Sequence, residues 1–384
     1  MPRHPAISFE RAFGSATGLA ALASLALAGP AAPATQGSWP DYRGPGLDGR
    51  AERAAVPLEW SETRHVRWRT PVHGRGWSTP VVWDGEVWLT TATADGTRLS
   101  VLCLDVATGT VLHDEVLWTV TEPAKRNTLN SYASPSPVLF GDLLIFHVDG
   151  GDVQYVVALD KQTEDTVWKR DRSVDLSREP PDRRKAYGTP VIARVRGADQ
   201  LIGSGAGATV AHAPLTGKEL WTVHHPGFSM ATRPVIGRDT VYVGTGFMQA
   251  ELWAVRLGGR GDVTQSHVRW RHRRSVPTMA SPVLVEDRLY FVNDGGIATC
   301  LDADTGETLW RERLGGEHCA SPVFASGRVY FFDREGRTKV VKEGREFELL
   351  AENELDGGFM ASPAIVGDAF VLRTETHVYR IEEE

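Results

Sequence analysis

The sequence predicts an all-β fold: a seven-bladed β-propeller of four-stranded antiparallel blades, its last blade closed by an N-terminal strand. Three observations lead there. A small hydroxyl or basic residue, then proline, then an apolar residue recurs at Pro80, Pro137, Pro190, Pro234, Pro282, Pro322 and Pro363. A tryptophan follows most of these, at Trp118, Trp168, Trp221, Trp270 and Trp310. No segment carries sustained helical periodicity. Repeats of this length mark solenoids, arrays or propellers.

One unit shows the blade. Ser281-Pro282-Val283-Leu284-Val285 reads as a first strand and Glu286-Asp287-Arg288 as its turn. Leu289 to Val292, β-branched and aromatic, reads as a second strand. Asp294-Gly295-Gly296 turns into Ile297 to Leu301, and Asp302 to Glu307 turns again into Thr308 to Glu312. Four short up-and-down strands make one propeller blade. The other units fit this template. The sixth departs, with leucine near Glu348-Leu349-Leu350 where tryptophan is expected.

Spacing predicts the closure. Trp270 precedes Pro282 by the same interval that separates Trp310 from Pro322, and Trp68 from Pro80. Trp68 therefore belongs to a fourth strand with no blade in front of it. The last unit, Ala361 to Ile381, has room for three strands only. Pairing those with the Trp68 strand closes the ring and removes both open edges. The tryptophans are expected to fill the wedges between blades, Trp118 among them, each contributing about 1.5–3 kcal/mol.

Two segments lie outside the repeat. Residues 1–34 read as a signal peptide: Arg3, His4 and Arg11, then the apolar run Ala16 to Leu27, then small residues. That run is shorter than the roughly 20 residues of a membrane span. Residues 35–59, rich in Pro and Gly, are expected to form an irregular lead draped over the ring, with the propeller at 60–384.

Charge and cysteine bound the chemistry. The chain holds 42 basic and 49 acidic side chains, net −7. Such a protein is a poor general binder of nucleic acid or anionic membrane. Cys103, Cys300 and Cys319 give no disulfide framework and are expected as buried fillers.

Asp302-Ala303-Asp304-Thr305-Gly306-Glu307-Thr308-Leu309-Trp310 resembles the tryptophan-docking repeat of the pyrroloquinoline quinone (PQQ)-like β-propellers, and Leu215 to Trp221 is similar. The resemblance covers nearly the whole mature chain and is specific to a fold, not an activity. It implies a group that holds quinoprotein dehydrogenases, BamB-type outer-membrane assembly propellers and secreted proteins of unknown role. For the dehydrogenases it implies eight blades, adjacent cysteines beside the quinone, and calcium held by acidic and amide side chains. Here there are seven proline units and no Cys-Cys pair, so neither PQQ nor calcium is expected. For the BamB type it implies a lipid anchor and eight blades, and this chain lacks the anchoring cysteine.

Several apparent motifs read as structure. Asp302-Ala303-Asp304 begins like a calcium loop, but Arg313 stands where the loop needs Glu. Gly203-Ser204-Gly205-Ala206-Gly207 lies between strands, without the helix that a phosphate loop requires. Arg269-Trp270-Arg271-His272-Arg273-Arg274 reads as a solvated outer strand.

The candidate site is the funnel mouth. Six of the seven residues before the repeat prolines are hydroxyls (Thr79, Ser136, Thr189, Ser281, Ser321 and Ser362), and the seventh is Arg233, whose guanidinium suits carboxylates or phosphates. Thr119 to Ala133 and Lys169 to Ala186 form long loops on one rim, and long ordered loops are often functional. The first supplies Arg126, Asn127, Asn130 and Tyr132; the second supplies Arg178, Arg183, Arg184 and Lys185, then Tyr187. Met279, His318 and Met360 precede inner strands and are expected at the mouth. No catalytic or metal-binding residue is nominated.

The expected role is an exported, periplasmic or secreted, non-catalytic binding or scaffolding propeller. A monomer is expected, with no transmembrane segment, that binds a protein or an anionic or carbohydrate envelope ligand. One alternative, a BamB-like assembly scaffold, needs an exposed apolar or β-pairing patch outside the funnel. The other, a PQQ-dependent or other propeller enzyme, needs a buried polar cluster with shifted acidity at the mouth.

Overall fold

Seven antiparallel sheets of four strands follow one another around a ring in a computed structural model that describes residues 37–119 and 135–383. Blade 1 runs from the strand Val81–Trp83 to the strand Val111–Thr119, and blade 2 from Val138–Phe140 to Thr166–Asp171. Blade 3 runs from Val191–Val195 to Glu219–His224, and blade 4 from Val235–Ile236 to Val268–His272. Blade 5 spans Val283–Val285 to Thr308–Arg313, and blade 6 spans Val323–Ala325 to Leu349–Glu354. Blades stack face to face, so middle strands are buried on both faces. Leu289, Tyr290, Phe291 and Val292 are therefore a continuous apolar run with no alternation.

Blade 7 joins the two ends of the chain. Ala364–Val366, Ala369–Arg373 and His377–Ile381 supply three strands, and Val66–Pro71 pairs antiparallel with the third, Trp68 opposite Arg380. The ring therefore closes as the spacing predicts.

The Thr-Gly turn is a socket for the preceding blade's tryptophan. The indole N–H of Trp68 donates to the Val106 carbonyl of blade 1 at 3.1 Å. Trp168 donates to Pro214 of blade 3 at 2.9 Å, and Trp270 to Ala303 of blade 5 at 3.1 Å. Beneath these rings lie Gly109, Gly217 and Gly306, at φ +72°, +68° and +75°. A Cβ at any of the three would come within 2.6 Å of the indole, so the turn needs glycine for its angle and for the contact.

Two tryptophan assignments are corrected by register. In blade 5 the docked Trp310 lies opposite Cys300. The blade 1 equivalent, opposite Cys103, is His113, which stacks on Trp88 of its own blade. Trp118, expected in a wedge, lies opposite Leu99 near the strand's end and is 61% exposed. In blade 6 the docking position is Ala351, not leucine.

The recurrent hydroxyls form a belt. The backbone N–H of Ser136 donates to Thr189 Oγ1 at 2.9 Å, and that of Arg233 to Ser281 Oγ at 2.9 Å. Ser281 donates to Ser321 Oγ at 2.9 Å, and Ser321 to Ser362 Oγ at 3.0 Å. Innermost strands have an unpaired edge, and the next blade's hydroxyl satisfies its first donor.

The lead does not drape over the ring; it enters the channel. Trp39 pairs antiparallel with Val82 of the innermost strand of blade 1, and Arg50–Ala51 pairs parallel with Phe324–Ala325 of blade 6. One pairing of each sense means that the segment goes in and comes back. It leaves past Asp368, which accepts the Ala55 N–H at 2.7 Å, and past Asn353, which accepts the Trp60 N–H at 2.8 Å. Unpaired inner edges hold the lead where a loose cover would have none of these partners.

Candidate functional site

The channel interior is a polar cluster built by the lead. Arg43, fully buried, donates to the carbonyls of Pro322 at 2.7 Å, Pro282 at 3.1 Å and Asp48 at 3.1 Å. Burial lowers its pKa to about 10, which leaves it charged at neutral pH. Arg233, 1% exposed, forms an ion pair with Asp41 and donates to the Pro190 carbonyl at 3.1 Å. Its guanidinium also faces the Tyr42 ring at 5.4 Å. The arginine at the hydroxyl position thus spends its charge on the chain's own lead.

Above the belt, the entry loops of blades 3 to 6 are tied into one rim. The Tyr187 N–H donates to Met230 at 2.8 Å, the Ala231 N–H to Thr278, and Thr278 Oγ1 to Asp294 Oδ2 at 2.5 Å. The His318 N–H donates to the Asp294 carbonyl at 3.1 Å. Tyr187 is half-buried and Met279 exposed, so both can meet a ligand there. His318 cannot without movement: it is 2% exposed, its Nε2 faces the Gly315 carbonyl at 3.0 Å, and burial lowers its pKa. Arg126, Asn130 and Tyr132 lie outside the described residues, as does Asn127.

The second long loop folds back on itself. Arg184 donates to the carbonyls of Glu179 and Ser177, and buried Lys185 pairs with Asp182 at 3.0 Å. Arg178 and Arg183 stay exposed, Arg183 over the Phe228 ring at 5.6 Å. The basic lip is therefore smaller than its sequence implies.

Sequence reasoning missed a charged cluster between blades 2 and 3. Arg172 forms an ion pair with Asp149, and His147 Nε2 lies 3.4 Å from Asp149 Oδ1. Nearby, His225 Nε2 is 3.3 Å from Thr209 Oγ1, which is 3.0 Å from Ser204 Oγ. Burial works to raise the Asp149 carboxyl, but Arg172 and His147 outweigh it and hold it low. Burial depresses His225 to about 3. Each of these side chains is almost wholly enclosed, so the cluster offers an acid and a base but no room for a substrate.

The largest accessible apolar feature lies outside the funnel. All nine residues of Val111–Thr119, the outer strand of blade 1, are exposed, including Val111, Leu112, Val116, Leu117 and Trp118. It lacks the docked tryptophan that seats other outer strands, and blade 2 has Glu164 where the socket needs glycine.

The thiols and acids were tested against a quinone with its calcium. Cys103 and Cys300 lie in blades 1 and 5 and Cys319 before blade 6, and burial pushes their thiols up to about 11, 12 and 11. Among the described residues, no three His, Cys, Asp or Glu side chains converge to hold a metal. Asp302 Oδ1 instead accepts the N–H groups of Asp304 and Thr305 inside its own turn. The residues present do not fit that group.

Residues 58–257 and 249–357 match the PQQ-like repeat family described as outer membrane protein assembly factor BamB. The chain belongs to this family. No curated protein matches it. Among solved structures, BamB from Moraxella catarrhalis is similar at 15% identity and TM-score 0.49, over 80% of this chain and 84% of that one. The computationally designed Ika8 protein is similar at 13% identity and TM-score 0.54, over 87% and 99%. A europium-containing methanol dehydrogenase is similar at 12% identity and TM-score 0.48, over 91% and 90%. At such identities the likeness speaks to the PQQ-like fold alone. Among the described residues, no helix is long and apolar enough to cross a membrane.

Proposed function

We propose that this chain is an exported, non-catalytic scaffold of the cell envelope that binds a protein partner. The observation that carries the reading is the exposed outer strand of blade 1, an apolar, β-pairing surface outside the funnel. The family's description as an outer-membrane assembly factor supports the same class of role. The channel, where a propeller has room for a small ligand, is taken up by the lead and its two buried arginines. The signal-peptide pattern of residues 1–34 supports export. The thiols and acids support a role without PQQ.

The test is crosslinking in place. Cells make the protein with its own leader, a lysine-reactive crosslinker is added to the intact envelope, and the product is sized by immunoblot. A processed protein in the envelope fraction, with an adduct heavier than the monomer, is expected. Retention in the cytoplasm, or monomer alone at every crosslinker concentration, refutes the reading. PQQ with calcium is expected to leave the melting temperature unmoved, and a rise would restore a quinoprotein reading.

A further inference from the structure

We infer that the Val111–Thr119 strand docks an extended, basic and apolar segment of the partner protein as a fifth strand of blade 1. The inference rests on the scaffold reading above and names the partner's chemistry. In blade 3 the same outer edge already carries such an addition. Gly261–Asp262 lies parallel to the outer strand, Gly261 opposite Trp221, and the following Val263 is buried against blades 3 and 4. The outer edge of a blade in this fold therefore accepts a parallel segment that brings one apolar side chain with it. Blade 1 offers that edge over nine residues, and among the described residues no strand pairs with its outer side.

The other outer strands guard their edges with charge. Blade 4 presents Arg269 and Arg271, blade 5 presents Arg311, Glu312 and Arg313, and blade 7 presents Arg67 and Arg69. Charges on an edge discourage strand addition. Blade 1 instead shows Val111, Leu112, Val116, Leu117 and Trp118, interrupted by His113, Asp114 and Glu115. Those two carboxylates select the partner. A second copy pairing edge to edge would bring four carboxylates onto one short sheet, whereas a segment alternating apolar and basic residues would offset them.

The probes are two fluorescein-labelled nonapeptides, one alternating valine and lysine, the other valine and glutamate, titrated against the mature protein by anisotropy. The lysine peptide is expected to bind about tenfold more tightly than the glutamate peptide, as two exposed charge pairs allow. The double variant Asp114→Lys/Glu115→Lys is expected to reverse that preference with an unchanged melting temperature, since both side chains are exposed. Hydrogen exchange is expected to show new protection at the outward amides of residues 111–119 when the lysine peptide binds.

Four outcomes overturn the inference: neither peptide binds, the preference survives the double variant, the amides stay unprotected, or they are already protected in the free protein. A dimer that Leu117→Lys dissolves would assign the edge to a second copy. Failure of these tests while the envelope adduct persists removes the docking strand and leaves the scaffold. Loss of the adduct removes the scaffold itself.

Discussion

Replacing Asp41 with alanine strips the buried Arg233 of its only carboxylate partner. The guanidinium keeps its bond to the Pro190 carbonyl, its Nε has no acceptor, and the Arg43 N–H loses Asp41 Oδ1 at 2.8 Å. Breaking one side of a buried pair costs about 3–5 kcal/mol, and the partial exposure of Asp41 places this case near 3. Unfolding roughly 330 residues at about 2.1 cal/mol/K each gives an entropy near 0.7 kcal/mol/K. The melting temperature is then expected to fall by about 4 °C, read by calorimetry at pH 7. The double variant Asp41→Leu/Arg233→Met removes both charges and is expected to recover most of the loss. A fall below about 1.5 °C, or a double variant as unstable as the single one, would refute the lead as a charge-locked plug.

The two tryptophan classes separate by stability. Trp68→Ala should cost about 3–5 kcal/mol in denaturant titrations by emptying the socket on blade 1, whereas Trp118→Ala should change it by less than about 0.5. The socket glycines separate likewise: Gly306→Ala meets the Trp270 ring, while Gly327→Ala meets open space at a similar φ. The first should cost at least about 1 kcal/mol more. Acid should weaken the fold through His225, whose folded pKa of about 3 lies below its unfolded value of 6.5. That contribution is fully present above about pH 6.5 and is lost as pH falls toward 3, about 2 kcal/mol of it by pH 5. His225→Gln should flatten the slope of melting temperature against pH between 7 and 5, and an unchanged slope would exclude His225 as its source.

The repeat was legible because each blade states its own geometry locally. Pro, then Val, then a turn, then Thr-Gly four residues before Trp reports strand order without reference to any other blade, and the Trp68 spacing carries the closure. The hydroxyls before the prolines were visible, but their use was not: Ser281 meets Ser321 only after two blades stand side by side. The lead was illegible for the same reason. Arg43 and Pro322 are 279 residues apart, and nothing near Arg43 names its acceptors. Trp118 misled because counting from the proline ignores register, whereas counting four from Gly109 leads to His113. Of the candidate site, Tyr187 and Met279 fall on one rim, while Arg233 answers to the lead, a partner that sequence spacing cannot reveal.

The return of the lead through the channel sets an order on how the molecule is made. The strand Val66–Pro71 emerges early during synthesis but must wait for His377–Ile381 before it has a neighbour. Arg43 waits almost as long for Pro322. Contacts of such span close slowly, because a long stretch of chain must be confined before any bond rewards it. Until the last blade arrives, the first inner strand and the lead are open to other chains. A protein built this way stays vulnerable to misassembly until its final residues are delivered, and its yield should depend on how well that interval is shielded.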